Sequence, residues 1–291
     1  HGQRPGGAAA VIAMGKLGGD EMAANSDLDL IVVYDFAAGA PQSEGAKPLP
    51  GLQYYTRLTQ RLVAAIAAPT AEGRLYEVDM RLRPSGTSGP VASHIDSFTT
   101  YQREAAWTWE HMALTRAAVI AGPEPLRRRI EAVIGAVLVR PRRRETLVSD
   151  VREMRARIAA QKPARSHWDL KHVRGGLIDL EFIAQYLQLL HAHAYPEVLD
   201  QNTPAALEKL AGAGLIAPAD ADVLLPAAAL YQALSQIVRL CLDGPFEPSA
   251  APLGLKLLLA RAAGLPGFAQ LEAVVVETEA RVAEVYERIV A

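Results

Sequence analysis

Short apolar runs and one alternating stretch predict strands in the first third of the chain. Residues 8–13 are uniformly apolar, and residues 28–34 form a second run rich in Leu, Ile and Val. In residues 75–83 the charged side chains at 77, 79, 81 and 83 alternate with apolar side chains, which is the period of a half-buried strand. Pro84 and Gly86 end this stretch.

Helical spacing of apolar residues also occurs early and dominates the rest of the chain. Residues 52–67 predict a helix that ends before Pro69, and another helix is expected to start near Asp20. Residues 37–51 are rich in Pro, Gly and Ala and predict a loop. Beyond Gly122 the spacing predicts further helices at 177–191, 204–212, 219–242, 252–263 and 268–290.

These patterns predict an α+β protein in which a mixed part precedes a helical part. Residues 1–121 combine strands and helices, whereas residues 122–291 are almost entirely helical, and Gly122-Pro123 marks the expected boundary. A length of 291 residues suits two domains, or one domain with a large extension. No fixed-period repeat is present in the sequence, which argues against a solenoid.

Composition narrows the class of protein. Half of the residues are hydrophobic and the net charge is −2, so the chain is globular and has no overall basic field to attract nucleic acid. The longest uncharged run, residues 223–238, is shorter than a spanning helix, so we expect no membrane insertion. The single cysteine, Cys241, excludes an internal disulfide framework and fits a cytoplasmic location. Because the chain starts at His1 without a leader, we expect a piece of a longer protein.

Basic residues concentrate in residues 123–165, which hold eleven Arg and one Lys against five acids. Helical spacing distributes these charges around the helices, which is typical of a solvated surface. An electrostatic landing site for an acidic partner or a nucleotide tail is the alternative, and the sequence leaves both open.

Candidate chemistry centres on two glycines and two aspartates beside the second strand. Gly18 and Gly19 precede it, and glycines at such a turn let backbone N–H groups approach phosphate oxygens. Ser26 is either a donor to phosphate or a turn cap. Asp27 and Asp29 project from the same face of the strand, where their charges repel unless a cation lies between them. Oxygen ligands combined with phosphate favour Mg²⁺.

The alternating stretch supplies a third carboxylate, Asp79. If its strand neighbours that of Asp27 and Asp29, three aspartates could hold two metal ions about 3.5–4 Å apart. Arg81 and Arg83 share the face of Asp79 and suit phosphate oxygens through their planar guanidinium groups.

Several residues have structural alternatives. Lys16 is a phosphate ligand or a solvated loop lysine, and Arg83 is a phosphate ligand or an ion-pair partner of Glu77, which is itself expected to pair with Arg81. Asp20 is expected to cap the following helix. Aromatic side chains at helical spacing are more often core than nucleobase-stacking groups, so we expect core positions for Trp107, Trp109 and His111. Two roles remain open for a further charged group, which either borders the cleft or makes hinge or interdomain contacts: Asp169, Lys171, Asp179 and Glu181.

The order glycines, serine, Asp-x-Asp, β-run and later aspartate is the layout of the DNA polymerase β-like nucleotidyltransferase superfamily. Four blocks resemble, more specifically, the glutamine synthetase adenylyltransferase family. They read Ala-Met-Gly-Lys-Leu-Gly-Gly-Asp-Glu-Met at 13–22 with Ser-Asp-Leu-Asp-Leu at 26–30, Tyr-Glu-Val-Asp-Met-Arg-Leu-Arg-Pro-Ser-Gly at 76–86, Ala-Trp-Thr-Trp-Glu-His-Met-Ala-Leu-Thr-Arg at 106–116, and Asp-Leu-Lys at 169–171 with Arg-Gly-Gly-Leu-Ile-Asp-Leu-Glu-Phe at 174–182. One departure is Asp20, which stands where many relatives carry Arg.

That resemblance implies an activity, cofactors and partners. The family carries two nucleotidyltransferase halves, and these motifs resemble the C-terminal half, which transfers AMP from ATP to a tyrosine of glutamine synthetase and releases pyrophosphate. It implies two Mg²⁺ ions, a nucleotidyltransferase domain at 1–121, a helical bundle domain at 122–291, and contact with PII protein through the full-length chain. Phosphorolytic removal of AMP and a non-catalytic nucleotide-sensing or docking module are the alternatives. The implied catalytic and metal-binding residues are Asp27, Asp29 and Asp79, and the implied nucleotide-binding residues are Gly18, Gly19, Ser26, Lys16, Arg81 and Arg83.

Overall fold

A computed structural model describes residues 1–37, 39 and 42–291, which form two compact units. Unit 1 comprises residues 1–22 and 26–139, and unit 2 comprises residues 23–25 and 140–291. The expected boundary at 121/122 precedes this division because the helix Glu124–Leu138 packs on strands and helices of unit 1 and buries Ile130 there.

Unit 1 is built on a five-stranded sheet. The strands are Ala8–Ala13 (β1), Leu28–Asp35 (β2), Val78–Asp79 (β3), Ala92–His94 (β4) and Ala118–Ala121 (β5). β2 is central, since it pairs antiparallel with β1 on one side and parallel with β3 and β4 on the other. β5 pairs antiparallel with the far edge of β1. The two strands predicted from the apolar runs are therefore confirmed.

The alternating stretch forms a strand over two residues only. β3 ends at Asp79 because its carboxylate accepts a hydrogen bond from the Arg81 N–H at 2.8 Å, which turns the chain away from the ladder. Arg83 N–H then donates to the Met80 carbonyl at 3.3 Å. The predicted strand at 75–83 was too long, although the period was right at Val78 and Asp79.

The helices of unit 1 are Gly15–Gly18 (α1), Gly51–Ile66 (α2), Ile95–Glu104 (α3), Thr108–Leu114 (α4) and Glu124–Leu138 (α5). α2 confirms the predicted helix, in which Tyr55 and Thr59 are buried whereas Leu52 and Leu58 are exposed. Tyr55 stacks on Tyr34 of β2 with ring centroids 4.3 Å apart. Of the loop predicted at 37–51, residues 38, 40 and 41 lie outside the described residues.

The helix expected near Asp20 is absent from the described residues 19–27. Instead α1 ends there in a Schellman motif, in which Glu21 N–H donates to the Lys16 carbonyl at 2.8 Å and Asp20 N–H donates to the Leu17 carbonyl at 3.3 Å. Asp20 has a φ of 55°, the left-handed conformation that this motif requires. The N-terminal capping role expected for Asp20 is therefore wrong, because the residue closes one helix rather than opening another.

Unit 2 is a bundle of helices. Its helices are Arg144–Gln161 (α6), Leu177–His191 (α7), Thr203–Gly212 (α8), Pro218–Cys241 (α9), Leu253–Ala262 (α10) and Phe268–Ile289 (α11). The five helices predicted beyond residue 176 are confirmed within one residue at each end. Their apolar spacing reflects burial inside the bundle, where α9 packs against α7, α8, α10 and α11.

Within the described residues, α9 is the one helix long and apolar enough to cross a membrane. Three of its side chains, Leu224, Tyr231 and Leu234, have no exposed surface in the bundle. These three side chains belong to the core of the bundle, and the expectation of no membrane insertion stays a prediction.

A buried ion network joins the helices of unit 2. Asp179 on α7 has no exposed surface and accepts hydrogen bonds from Arg155, from Arg174 at 3.0 Å and from the Gly175 N–H at 2.6 Å. Gly175 has a φ of +77° and packs so closely against α11 that a Cβ would overlap the Glu279 carbonyl. Asp179 therefore anchors unit 2 internally, and the hinge or interdomain contact expected for it stays a prediction.

Candidate active site

Two neighbouring strands bring Asp29 and Asp79 side by side. β2 and β3 run parallel, and the register pairs Leu28 with Val78 and Asp29 with Asp79. Residues in register in adjacent strands project from the same face, so both carboxylates lie on one face of this sheet edge. Asp27 lies immediately before β2 and is exposed. The strand pairing that the metal-site argument required is therefore present.

Arg81 binds Asp79 through three contacts. The Arg81 backbone N–H donates to Oδ1 at 2.8 Å, Nε donates to Oδ2 at 2.7 Å, and Nη2 also donates to Oδ2. The side-chain bonds hold the pKa of Asp79 below its ordinary value. In turn Asp79, and more weakly Asp29 and Asp27, raise the pKa of Arg81. One guanidinium thus lies within electrostatic range of all three predicted metal-binding carboxylates.

Gly15 lies directly against the Asp29 carboxylate. A Cβ at Gly15 would overlap Asp29 Oδ2 and lie 3.3 Å from Cγ, and the φ of +55° is itself a conformation that suits glycine. The adjacent Met14 N–H donates to the Asp29 carbonyl at 2.9 Å. This role of Gly15 was not predicted from the sequence, although Gly15 is the first glycine after β1 and so marks the turn into α1.

Gly18 and Gly19 have packing and hydrogen-bonding roles within α1. Gly18 N–H donates to the Met14 carbonyl at 3.0 Å, and Gly19 N–H donates to the Gly15 carbonyl at 3.1 Å. A Cβ at Gly18 would overlap the Arg116 carbonyl, so close packing requires glycine there. Both N–H groups thus have partners inside the helical turn, and their predicted phosphate contact stays a prediction.

Lys16 and Ser26 both precede Asp27 and Asp29 in the sequence. Lys16 lies on α1 and is half-buried, whereas Ser26 is buried immediately before Asp27. α1 is held beside β2 by the Met14 bond to Asp29, so both residues belong to the same end of the sheet. Their nucleotide contacts stay a prediction.

Arg83 braces the turn that follows β3. Its Nη1 donates to the Met80 carbonyl at 2.8 Å, and its Nη2 donates to the Gly89 carbonyl at 3.3 Å. Glu77 pairs with Arg74 at 2.6 Å. The expected pairing of Glu77 with an arginine of the 81–83 segment is therefore wrong, because those side chains are drawn to Asp79 and to the turn carbonyls.

A buried ion pair connects the first and third sequence blocks. Arg116 Nη2 lies 3.0 Å from Glu21 Oε2, with side chains 5% and 10% exposed. The same Arg116 contributes the carbonyl that packs against Gly18. This pair was not predicted from the sequence, because both blocks hold other charged residues and nothing in their spacing marks Glu21 and Arg116 as partners.

The tryptophans of the third block are exposed. Trp107 is 70% exposed and Trp109 is 36% exposed, while His111 is half-buried. Buried Glu110 accepts a hydrogen bond from the Trp107 N–H at 2.9 Å and another from the Tyr101 hydroxyl at 2.8 Å. The core position expected for both tryptophans is wrong, because this cap places Trp107 at the outer end of α4.

In the described part of the chain, no group of three or more His, Cys, Asp or Glu side chains is already arranged to hold a metal ion. The donor chemistry still suits Mg²⁺, which proteins commonly hold through one or two carboxylates, with water and substrate phosphates completing the shell. Asp29 and Asp79 supply such a pair, and the Arg81 guanidinium shows that this edge attracts a cation.

Comparison with known proteins gives this geometry its context. Residues 1–133 match the glutamate-ammonia ligase adenylyltransferase family, and residues 152–290 match the GlnD PII-uridylyltransferase family. The chain is 51% identical over 290 residues to the bifunctional glutamine synthetase adenylyltransferase/adenylyl-removing enzyme of Rhodopseudomonas palustris strain TIE-1, covering 100% of this chain and 29% of that protein. The protein of the same name from Xanthobacter autotrophicus is 53% identical over 290 residues, covering 99% of this chain and 29% of the relative. The chain belongs to the glutamine synthetase adenylyltransferase family.

Family membership confirms the resemblance that the four sequence blocks indicated. The chain spans about 29% of the length of the curated relatives it matches. The first family match covers β1 to β5 and most of α5, so it contains every predicted site residue. The second match covers most of the helical unit 2.

Proposed function

We propose that this chain transfers AMP from ATP to a tyrosine of glutamine synthetase and releases pyrophosphate. The register of Asp29 with Asp79 carries the proposal, because it places two carboxylates together within the segment that matches the family. The relatives are named for both adenylyl transfer and adenylyl removal. The residues of the four sequence blocks resemble the transferring half of the family. Unit 1 is then a DNA polymerase β-like nucleotidyltransferase domain, which its mixed sheet and edge carboxylates support.

Asp27, Asp29 and Asp79 are the proposed ligands of two Mg²⁺ ions. When bound, Mg²⁺ neutralises the charge of the triphosphate and helps the attacking oxygen to ionise. The chain itself fixes the ligands, since Met14 N–H holds the Asp29 backbone and Arg81 N–H orients the Asp79 carboxylate. A tyrosine with a pKa of about 10 must lose its proton to attack at neutral pH, and Asp79 is the proposed acceptor.

Phosphate binding falls first to Arg81. Its side chain is 76% exposed and lies beside the carboxylates, so its guanidinium can reach an incoming triphosphate. Lys16 and Ser26 are proposed to contact the same phosphates, as are Gly18, Gly19 and Arg83. These contacts would contribute to catalysis mainly by positioning the nucleotide and neutralising its charge.

Adenylyl removal is the second candidate, since the name of the relatives includes it and the same aspartates would serve a phosphorolytic reaction. The match of residues 152–290 to the GlnD PII-uridylyltransferase family supports a regulatory link to PII through the longer protein. We place both reactions in the cytoplasm, which agrees with one free, exposed cysteine.

Two parallel reactions test the proposal. The first contains glutamine synthetase, Mg²⁺ and ATP labelled at the α-phosphate, and the second contains adenylylated glutamine synthetase with inorganic phosphate. Label on a tyrosine peptide in the first is the expected result, whereas ADP in the second alone would establish the removing reaction. If a folded chain that binds ATP gives neither labelled tyrosine peptide nor ADP, a nucleotide-sensing module is favoured.

Aspartate variants then test the site. Asp27→Asn and Asp29→Asn should each lose about 10²–10³-fold in transfer, the range for removing one charge-stabilising group. Asp35→Asn is the matched control, because Asp35 ends the same strand but pairs with Arg129 away from the predicted site. Undiminished transfer in both site variants would refute the metal assignment.

A further inference from the structure

The Arg81–Asp79 pair occupies the oxygen that a divalent cation would need. Both side-chain donors of Arg81, Nε and Nη2, bind the same atom, Asp79 Oδ2. Oδ1 is taken by the Arg81 backbone N–H at 2.8 Å. A carboxylate that accepts two guanidinium donors at one oxygen has little capacity left there for a metal ion, since cation and guanidinium compete for the same charge.

The Arg81 side chain can leave its partner without disturbing the turn, whereas the side chain of its neighbour Arg83 cannot. Arg83 is held by the carbonyls of Met80 and Gly89 and forms part of the turn. Within the described part of the chain, the hydrogen bonds of the Arg81 side chain go to Asp79 alone, and three-quarters of that side chain is exposed. An exposed ion pair is worth little in free energy, so a ligand with more charge can displace it.

The surrounding charge explains why a cation is needed before nucleotide arrives. Asp79 acts on Arg81 most strongly, and Asp29 and Asp27 lie near enough to act on the same guanidinium. Like charges at one sheet edge destabilise each other unless a cation neutralises them. Arg81 supplies that cation from within the chain.

We propose that Arg81 is a resident counter-ion and positioning residue of the three-aspartate edge, which holds Asp79 Oδ2 until ATP arrives and then exchanges that carboxylate for the triphosphate. This inference rests on the proposed function and adds a partner exchange to it. ATP would draw the guanidinium away and open Asp79 in the same event. Divalent cation binding without nucleotide is then suppressed, and binding with nucleotide is favoured.

Arg81→Gln tests the exchange with Mn²⁺ as the probe in the absence of ATP and glutamine synthetase. This variant removes both guanidinium contacts but keeps the backbone bond from residue 81 to Asp79 Oδ1, so the carboxylate stays oriented. We expect Mn²⁺, followed by water-proton relaxation, to bind about two- to fivefold more tightly than in wild type, in line with the small strength of an exposed pair. With ATP present, the KM for ATP should rise, because a phosphate contact is lost.

Arg74→Gln is the matched control. Arg74 lies in the same segment and is exposed like Arg81, but it pairs with Glu77 rather than with an aspartate of the site. It removes the same unit of charge, so an equal gain in Mn²⁺ affinity would show a general electrostatic effect and overturn the proposal. In an Asp79→Asn background, Arg81→Gln should give no gain.

Three other results would overturn the inference. In the first, Arg81→Gln leaves the Mn²⁺ affinity unchanged or weakens it. In the second, Arg81→Gln still raises the Mn²⁺ affinity in the Asp79→Asn background. In the third, neither wild type nor Arg81→Gln binds Mn²⁺. Failure of AMP transfer is a separate outcome, because the Mn²⁺ titration contains no nucleotide. A chain that transfers nothing yet shows the Arg81-dependent gain would refute the proposed function and support the counter-ion.

Discussion

Gly15→Ala adds one methyl group where α1 passes against the Asp29 carboxylate. The new Cβ would overlap Asp29 Oδ2, and the backbone at this position has a φ of +55°. Left-handed backbone costs a non-glycine residue about 1–2 kcal/mol. Relieving the overlap requires the carboxylate to move by about 1 Å, and a misplacement of that size can cost about 100-fold in rate. We therefore expect a modest loss of stability and a large loss of transfer.

Gly264→Ala separates the two effects. Gly264 has a nearly equal φ of +69°, but a Cβ there meets no atom within 4 Å. Urea unfolding should show a loss of about 1–2 kcal/mol for either variant from backbone strain. In the transfer assay, Gly264→Ala should match wild type, whereas Gly15→Ala should lose about 100-fold.

The kinetic pattern adds a check on the cause. If Gly15 acts by positioning Asp29, the loss in Gly15→Ala should appear in kcat at saturating ATP and Mg²⁺. Gly15→Ala with wild-type kcat, destabilised no more than Gly264→Ala, would refute the reasoning that this glycine exists to admit the carboxylate. Equal loss of transfer in the two variants would assign the effect to strain instead.

Three further results are expected. Glu21→Gln should lower the free energy of unfolding in urea by about 3–5 kcal/mol, because it removes the negative charge from the buried Glu21–Arg116 ion pair and leaves the positive one. A change below about 1 kcal/mol would contradict this. Asp179→Asn should lower stability by a similar amount, because three donors converge on that carboxylate, and unchanged unfolding would contradict its anchoring role. The Arg81 bonds depress the pKa of Asp79, so their contribution is present above pH 3.8 and is lost as pH falls through the depressed value. Carboxyl NMR should show that pKa rising towards 3.8 in Arg81→Gln.

Apolar runs and helical spacing predicted many of the elements, because residues that become buried are apolar and recur with the period of the element they form. β1 and β2 follow from uniformly apolar runs and the helices from α7 to α11 from helical spacing, whereas the pairing that brings Asp29 beside Asp79 was a condition that the sequence left open. β3 is shorter than its alternation because the Asp79 side chain competes for the Arg81 N–H. Such a competition depends on one hydrogen bond, which leaves no trace in hydrophobic spacing.

Other features depend on neighbours far away in the chain. Tyr55 of α2 is buried because it stacks on Tyr34, whereas Leu52 is exposed, and apolar spacing alone does not distinguish the two. Trp107 is exposed because Glu110 caps α4 and leaves the tryptophan outside the helix. In both cases a tertiary or capping contact overrides the preference that residue type and spacing predict.

The turn of α1 explains why blocks distant in sequence act as one unit. Gly15 packs on Asp29, Gly18 packs on the Arg116 carbonyl, and Glu21 pairs with the Arg116 side chain. Asp29 then continues the connection to β3 through its register with Asp79. A displacement of Arg116 would therefore move α1, and α1 would in turn move the Asp29 carboxylate that packs against Gly15. Glu21→Gln should therefore lower transfer as well as stability, and an unfolding defect without a kinetic one would show that α1 keeps Asp29 in place by its glycine alone.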